Sequence, residues 1–303
     1  MATKSSSRRT AQERARQIVA AQRKAQERRR RLAIAGAAVA VVLVALGVLV
    51  AVKFLGNGGG STTPDTTAAD PAVITALTTI PPAVFDQVGP GTVDTLPKVI
   101  SGEPPLKSGD KPLVLYVGAE YCPFCAAERW AVVAALSRFG TFTNLGQTHS
   151  ASNDVFPNTP TLSFHGMTYT SDHLVFQGVE TQTNVLAGNS YTALDSLSAE
   201  QDAIARKYNA APFVDSKSAG SIPFVDLGNI ALISGASFSP KLFAGKTAKQ
   251  ISDQLSTPGS TVTQAIVGTA NALTTLLCRM TNNQPATVCS SAGATAYKDK
   301  LNA

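Results

Sequence analysis

The sequence predicts an α/β domain with extra C-terminal helices, preceded by one transmembrane helix that holds it outside the cell membrane. Three observations carry this expectation. An uncharged apolar run sits beside a cluster of arginines near the N-terminus. A short buried-type strand leads directly into Cys122-Pro123-Phe124-Cys125 and a helix. A long amphipathic run, Thr261 to Met280, lies near the other end.

The charge distribution orders the first part of the chain. The 303 residues carry a formal charge of +6, and 44% of them are hydrophobic, enough for a sizeable core. Residues 1–31 hold eleven Lys or Arg against two acids, a net of +9, and the rest of the chain holds 15 bases against 18 acids. The basic character therefore belongs to a tail and gives no ground for a nucleic-acid partner. Leu32 to Val52 follows as 21 residues without a charge or a side-chain amide. As a helix it is about 31 Å long, close to the roughly 30 Å hydrocarbon core. Arg28 to Arg31 abut its N-terminal end, which places residues 1–31 in the cytoplasm and the C-terminal part outside. Both the basic segment and the apolar run exceed those of a signal peptide, so an uncleaved single-pass plasma-membrane anchor is expected. The tail is suited to anionic lipid headgroups.

Residues 53–72 are rich in Gly, Ser, Thr and Pro and predict a flexible linker. Residues 73–110 predict an irregular lead-in with one short helix near Val73–Leu77. The domain proper is expected over 111–257, with a helical extension over 258–303. Leu113 to Val117 is a continuous apolar run suited to a strand buried on both faces. Pro123 fits a first helical position, and Ala126, Trp130, Val133 and Leu136 form an apolar stripe. Strands are expected at Thr161–His165 and His173–Val179, a helix near Leu194–Tyr208, and a hairpin of Ile222–Leu227 and Ile230–Ser234 turning at Gly228-Asn229. Helices are expected at Lys246–Leu255, Thr261–Met280 and 292–302.

Cys122 and Cys125 carry the chemistry. Only a thiolate attacks a disulfide, and a cysteine at a helix start meets free backbone N–H groups and the positive end of the helix dipole. The second cysteine, three residues on, lies about one turn away and can resolve a mixed disulfide made by the first. Cys122 is the expected nucleophile and Cys125 the resolving thiol.

Ala119-Glu120-Tyr121-Cys122-Pro123-Phe124-Cys125 resembles the active-site segment of the thioredoxin superfamily, with Tyr121 where that family often has Trp. The resemblance covers about residues 110–257 and implies a thioredoxin-like fold. The distance from Cys122 to Pro223 implies an insertion, as in disulfide-bond proteins of the Dsb type. It also implies that Ile222-Pro223-Phe224 is the family's cis-proline loop, which pairs with the substrate backbone; Ala211-Pro212-Phe213 is the weaker competitor. Two departures concern the direction of electron flow. Tyr116 stands where thioredoxins carry a buried acid, and Pro-Phe replaces the Gly-Pro of the reducing members. More narrowly, the chain resembles a family of membrane-anchored thioredoxin-like proteins known as a domain of unknown function (nine-two-nine).

The expected function is a membrane-anchored, extracytoplasmic thiol–disulfide oxidoreductase of the cell envelope that acts on exported proteins and exchanges electrons with a membrane redox partner. The competing class is a non-catalytic thioredoxin-like binding or scaffold protein. No cofactor and no metal are expected. A zinc site would need Cys278 and Cys289, whose spacing fits a zinc ribbon poorly. Copper delivery would need one of His149, His165 and His173 beside the cysteine pair. Cys278 and Cys289 are expected to form a structural disulfide, with a second redox pair relaying electrons to Cys122 as the alternative. Arg129, four residues after Cys125, either supports the thiolate or is a solvated charge on the helix face.

Overall fold

The structure, a computed structural model, describes residues 66–302. The expected tail (1–31), membrane span (32–52) and most of the linker (53–72) lie outside the described residues. Among the described residues no helix is long and apolar enough to cross a membrane.

In chain order, β1 (Thr67–Ala68) precedes α1 (Pro71–Thr78), which begins where Asp70 accepts a hydrogen bond from Ala72 N at 2.8 Å. Helix α2 (Pro82–Val88) and the short strands β2 (Lys98–Val99) and β3 (Lys107–Ser108) follow, so the lead-in carries more order than its composition suggests. Strand β4 (Lys111–Gly118) runs into α3 (Pro123–Leu136) through the cysteine turn. The next segment is built of short strands: β5 (Thr141–Thr143), β6 (Gly146–His149), β7 (Pro160–Ser163), β8 (Thr168–Thr170), β9 (Val175–Glu180), β10 (Gln182–Ala187) and β11 (Ser190–Ala193). Helix α4 (Ala199–Tyr208) starts later than its apolar pattern suggests, because Ser198 and Gln201 close a capping box. The hairpin β12 (Phe224–Leu227) and β13 (Ala231–Ser234) follows, with positive φ at Gly228 and Asn229. Helix α5 (Ala248–Ser252) is shorter than expected, and α6 (Thr261–Met280) has the expected bounds. A single-turn helix α7 (Ala286–Cys289) follows, and the last helix, expected over 292–302, is the single turn α8 (Ala292–Thr295).

The fold is mixed α/β. Its main sheet has the order β2-β13-β12-β4, with β9 on the far side of β4 and β3 pairing the start of β4. Only β4 and β9 are parallel; the other pairs are antiparallel. A parallel pair needs a long crossover, which α3 and strands β5 to β8 supply.

Alternation along the strands makes two cores. Val114 and Tyr116 on β4, with Val225 and Ile233, pack into the larger cluster with α3 and α6. Leu115 and Val117, with Phe224 and Leu232, pack on the other face against Ile204 and Tyr208 of α4. Helix α3 is enclosed, and every residue of it but Phe124 is buried. Thr161 Oγ1 donates to Ala126 O at 2.8 Å and Trp130 Nε1 donates to Pro160 O at 3.0 Å, fixing β7 against that helix. On the other side α6 covers α3, and the lead-in crosses α6 at Gly268. A Cβ there would lie 2.7 Å from Pro90 O and 2.9 Å from Gly91 Cα, so only glycine admits the contact. Asn271 of α6 donates to Phe85 O and Gly89 O, both at 2.8 Å, which satisfies carbonyls at the end of α2.

Candidate functional site

The cysteine turn is placed by β4 and closed by α3. Gly118 is the last residue of the strand and lies under the Tyr116 ring, where a Cβ would clash with the ring and its hydroxyl. Cys122 is the N-cap of α3, with Pro123 as the first helical residue. Its Sγ accepts from Cys125 N at 3.3 Å, the geometry of an N-cap hydrogen bond made by sulfur. The two cysteines are free thiols in this structure, Cys122 nearly buried and Cys125 wholly so.

Opposite them lies the turn that opens the β12–β13 hairpin. The Ile222-Pro223 peptide is cis, and Cys122 Sγ lies 3.7 Å from Ile222 O. The Ala211-Pro212 and Gln284-Pro285 bonds are cis as well, but Pro223 is the one that adjoins Cys122. The structure thus brings Cys122, Cys125 and the Pro223 loop together.

The two thiols differ electrostatically. Cys122 is held below its ordinary pKa, chiefly by the hydrogen bond from the Cys125 thiol; burial opposes this, and the Cys125 and Phe124 N–H groups and the Arg129 charge support it. Burial pushes the Cys125 thiol well up, as does donating to Cys122. The sulfur at the helix start is therefore the one that favours the thiolate, and its neighbour keeps its proton.

Behind the pair lies a charged layer that was not legible in the sequence. Arg129 has no exposed surface and makes a bidentate ion pair with Glu180 at the end of β9: Nε donates to Oε1 at 2.7 Å and Nη2 to Oε2 at 2.6 Å. Nη2 also donates to Ala119 O at 2.8 Å, which ties the pair to the cysteine turn. A solvated helix-face charge at Arg129 is excluded by its complete burial. Glu120 is buried too; its Oε1 accepts from Thr66 Oγ1 at 2.8 Å and Ser163 Oγ at 2.6 Å. The Tyr116 hydroxyl, in the same layer, has no partner among the described residues. Two adjacent charges, Glu128 and Arg129, in a helix with no other charge were the available signal for Arg129. Nothing local marked Glu180 as its partner.

In front of the pair lies an apolar rim. Phe124, Val155 and Leu186 are the exposed large hydrophobic residues among those described. Phe124 meets Phe156 edge-on at 5.9 Å between ring centroids. Tyr121 stacks on Tyr191 at 4.2 Å, and Leu186 pairs with Tyr191 across the β10–β11 hairpin. Tyr191 Oη donates to Asn153 Oδ1 at 2.9 Å, joining that hairpin to the loop that carries Val155 and Phe156.

Cys278 and Cys289 form a disulfide between α6 and α7, with Cα atoms 5.5 Å apart. Among the described residues no group of three or more His, Cys, Asp or Glu could hold a metal ion. His165 pairs with Asp195 at 2.7 Å, and His149 Nδ1 lies 2.8 Å from Ser150 O. No curated protein and no solved structure matches the chain. Residues 99–279, which span the cysteine turn, the Pro223 loop and nearly all of α6, match one family over more than half of the chain: the protein belongs to the family described as Domain of unknown function (DUF929).

Proposed function

We propose that the protein is a membrane-anchored thiol–disulfide oxidoreductase with a thioredoxin-like fold, acting outside the membrane on exported proteins. The single observation that carries this is the Cys122 Sγ at the N-cap of α3, hydrogen-bonded by Cys125 N and facing Ile222 O of the Pro223 loop. The parallel β4–β9 pair, the antiparallel β12–β13 hairpin and helices against both faces of the sheet support the fold assignment.

In the reducing direction the Cys122 thiolate attacks one sulfur of a client disulfide. The client S–S bond breaks, a mixed disulfide forms, and the departing client sulfur takes up a proton. Cys125 then gives up its proton and attacks Cys122 Sγ; the mixed disulfide breaks and the second client thiol leaves protonated. The client has gained two electrons from the protein and two protons, one from Cys125 and one from solvent, and the Cys122–Cys125 disulfide remains. The oxidising direction is the reverse. A redox partner in the membrane restores the starting state in either case. The rim at Phe124, Val155 and Leu186 suits a client presented unfolded, with apolar side chains beside its cysteine.

The test is a redox titration of the full-length chain in detergent against glutathione, with alkylation of Cys122 and Cys125 read by mass spectrometry. A reversible two-electron transition confined to the pair is the expected result, and its absence would overturn the proposal. The same exposed rim also fits a non-catalytic binding protein. Cys122→Ala separates the two, since it abolishes thiol exchange and leaves client binding intact.

A further inference from the structure

A bidentate ion pair with no exposed surface costs several kcal/mol of desolvation per ion and is weak evidence for stability. It stands directly behind a dithiol, where a fixed charge has the largest effect on a sulfur anion. The two members of the pair do not face the thiols equally. Arg129 lies on α3 four residues beyond Cys125 and is bonded to Ala119 O at the start of the cysteine turn, so it belongs to the helix that carries both sulfurs. Glu180 reaches it from the end of β9, in parallel register with Gly118. The Arg129 charge favours the anion on both sulfurs, whereas Glu180 opposes it at Cys125. The other ionisable groups around the pair are Tyr116 from β4, Glu120 and Tyr121 from the turn, and none of them is a cation. Among the described residues Arg129 is thus the one positive charge that acts on both thiols, and Glu180 opposes it on the Cys125 side.

We propose that the buried Arg129–Glu180 pair is a positioning device that directs the negative charge to Cys122 rather than Cys125 and so sets the equilibrium between dithiol and disulfide. The inference rests on the thiol–disulfide reading above and deepens it. In the exchange with glutathione, the protein dithiol and one oxidised glutathione give the protein disulfide and two reduced glutathiones, so atoms and electrons balance without a further reactant. Glu180→Gln frees the Arg129 charge from its counter-ion and so strengthens its pull on the Cys122 thiolate, which favours the reduced protein and makes it more oxidising. Arg129→Met removes the favourable charge and makes it more reducing. Arg129→Met acts on Cys122 directly, and a change of about one unit in that thiol is about tenfold in the equilibrium constant, or about 30 mV for a two-electron couple; Glu180→Gln acts through Arg129 and gives the smaller shift.

The experiment measures the glutathione equilibrium of the full-length wild-type, Glu180→Gln and Arg129→Met proteins, with the pH dependence of thiolate absorbance as a second readout. Shifts of opposite sign are expected. A merely structural role would weaken both variants alike without moving their potentials apart, and equal or same-sign shifts overturn the inference. The double variant Arg129→Met/Glu180→Gln leaves no unpaired buried charge and serves where a single variant does not fold. It should lie between wild type and Arg129→Met, and a potential at wild type or on the oxidising side of it refutes the assignment. If the wild-type pair itself forms no reversible disulfide, the oxidoreductase reading fails; if it cycles normally and the variants do not diverge, only the role of the ion pair fails.

Discussion

Replacing Glu128 with Gln should make the protein more stable at alkaline pH. Glu128 lies on α3, one turn beyond Cys125, and has no exposed surface. Its Oε2 accepts from Ser237 N at 2.8 Å and its Oε1 from Ser237 Oγ at 3.0 Å. Burial nevertheless raises its pKa from 4.5 to about 7, against the pull of those hydrogen bonds. The folded protein therefore holds this proton more tightly than the unfolded chain. The stabilisation is full below about pH 4.5 and is lost as the pH rises through about 7. A gap of about 2.5 units at 1.36 kcal/mol each corresponds to about 3 kcal/mol. Glutamine has the same shape, can accept from Ser237 N and can donate to Ser237 Oγ, so the variant keeps both contacts and loses the titration. Trp130, the single tryptophan, is buried on the same helix and reports unfolding by fluorescence. In urea titrations of the full-length protein, the variant should exceed wild type by about 3 kcal/mol at pH 8 and by about 1 kcal/mol at pH 5. Asp226, raised by burial to about 7, is present in both proteins and cancels. A gap that does not change between the two pH values would refute the reasoning.

Replacing both Cys278 and Cys289 with Ala should lower stability by about 2–4 kcal/mol, read by urea unfolding, and leave the redox titration of Cys122 and Cys125 unchanged. A change in that titration would instead support an electron relay between the two pairs. Gly268→Ala should cost about 1–3 kcal/mol, since its Cβ meets backbone atoms of Pro90 and Gly91 that cannot rotate away; an unchanged denaturation midpoint would show that the lead-in yields. Phe124→Ser should weaken turnover of an unfolded peptide disulfide severalfold and leave exchange with glutathione unaffected, because glutathione is too small to use the rim. Equal losses on the two substrates would place Phe124 in support of the turn rather than in substrate contact.

Elements with a strong local signal were legible from the sequence. The run Leu113–Val117, the N-cap at Cys122, the Gly228-Asn229 hairpin and the bounds of α6 each follow from burial pattern or turn chemistry within a few residues. What failed depended on partners far along the chain. Strands β5, β6, β8, β10 and β11 are two-sided and rich in Thr, Ser and Gln, and they become strands only through pairing. The lead-in was read as irregular for want of periodicity, yet its carbonyls are satisfied by Asn271, a polar residue inside an apolar helix. In the site, the two cysteines were found and their charged background was not. Arg129 looks like any helix-surface charge until Glu180, fifty-one residues later, is brought against it.

The clamp between the lead-in and α6 also sets an order of events during synthesis. Asn271 grips the end of α2, Gly293 N donates to Asp86 Oδ1 at 2.7 Å, and Tyr297 Oη donates to Pro90 O. Each joins residues more than 180 positions apart. Chain growth is slower than local folding, so the lead-in leaves the ribosome long before the residues that enclose it. Val84, Phe85 and Val88 stay uncovered until the last few dozen residues arrive. The residues of the cysteine turn and its facing loop, by contrast, are all present once β13 is made. A chain cut short after the hairpin would contain both cysteines and leave the faces of α2 and α3 that α6 covers exposed, an apolar seam of the kind that promotes aggregation.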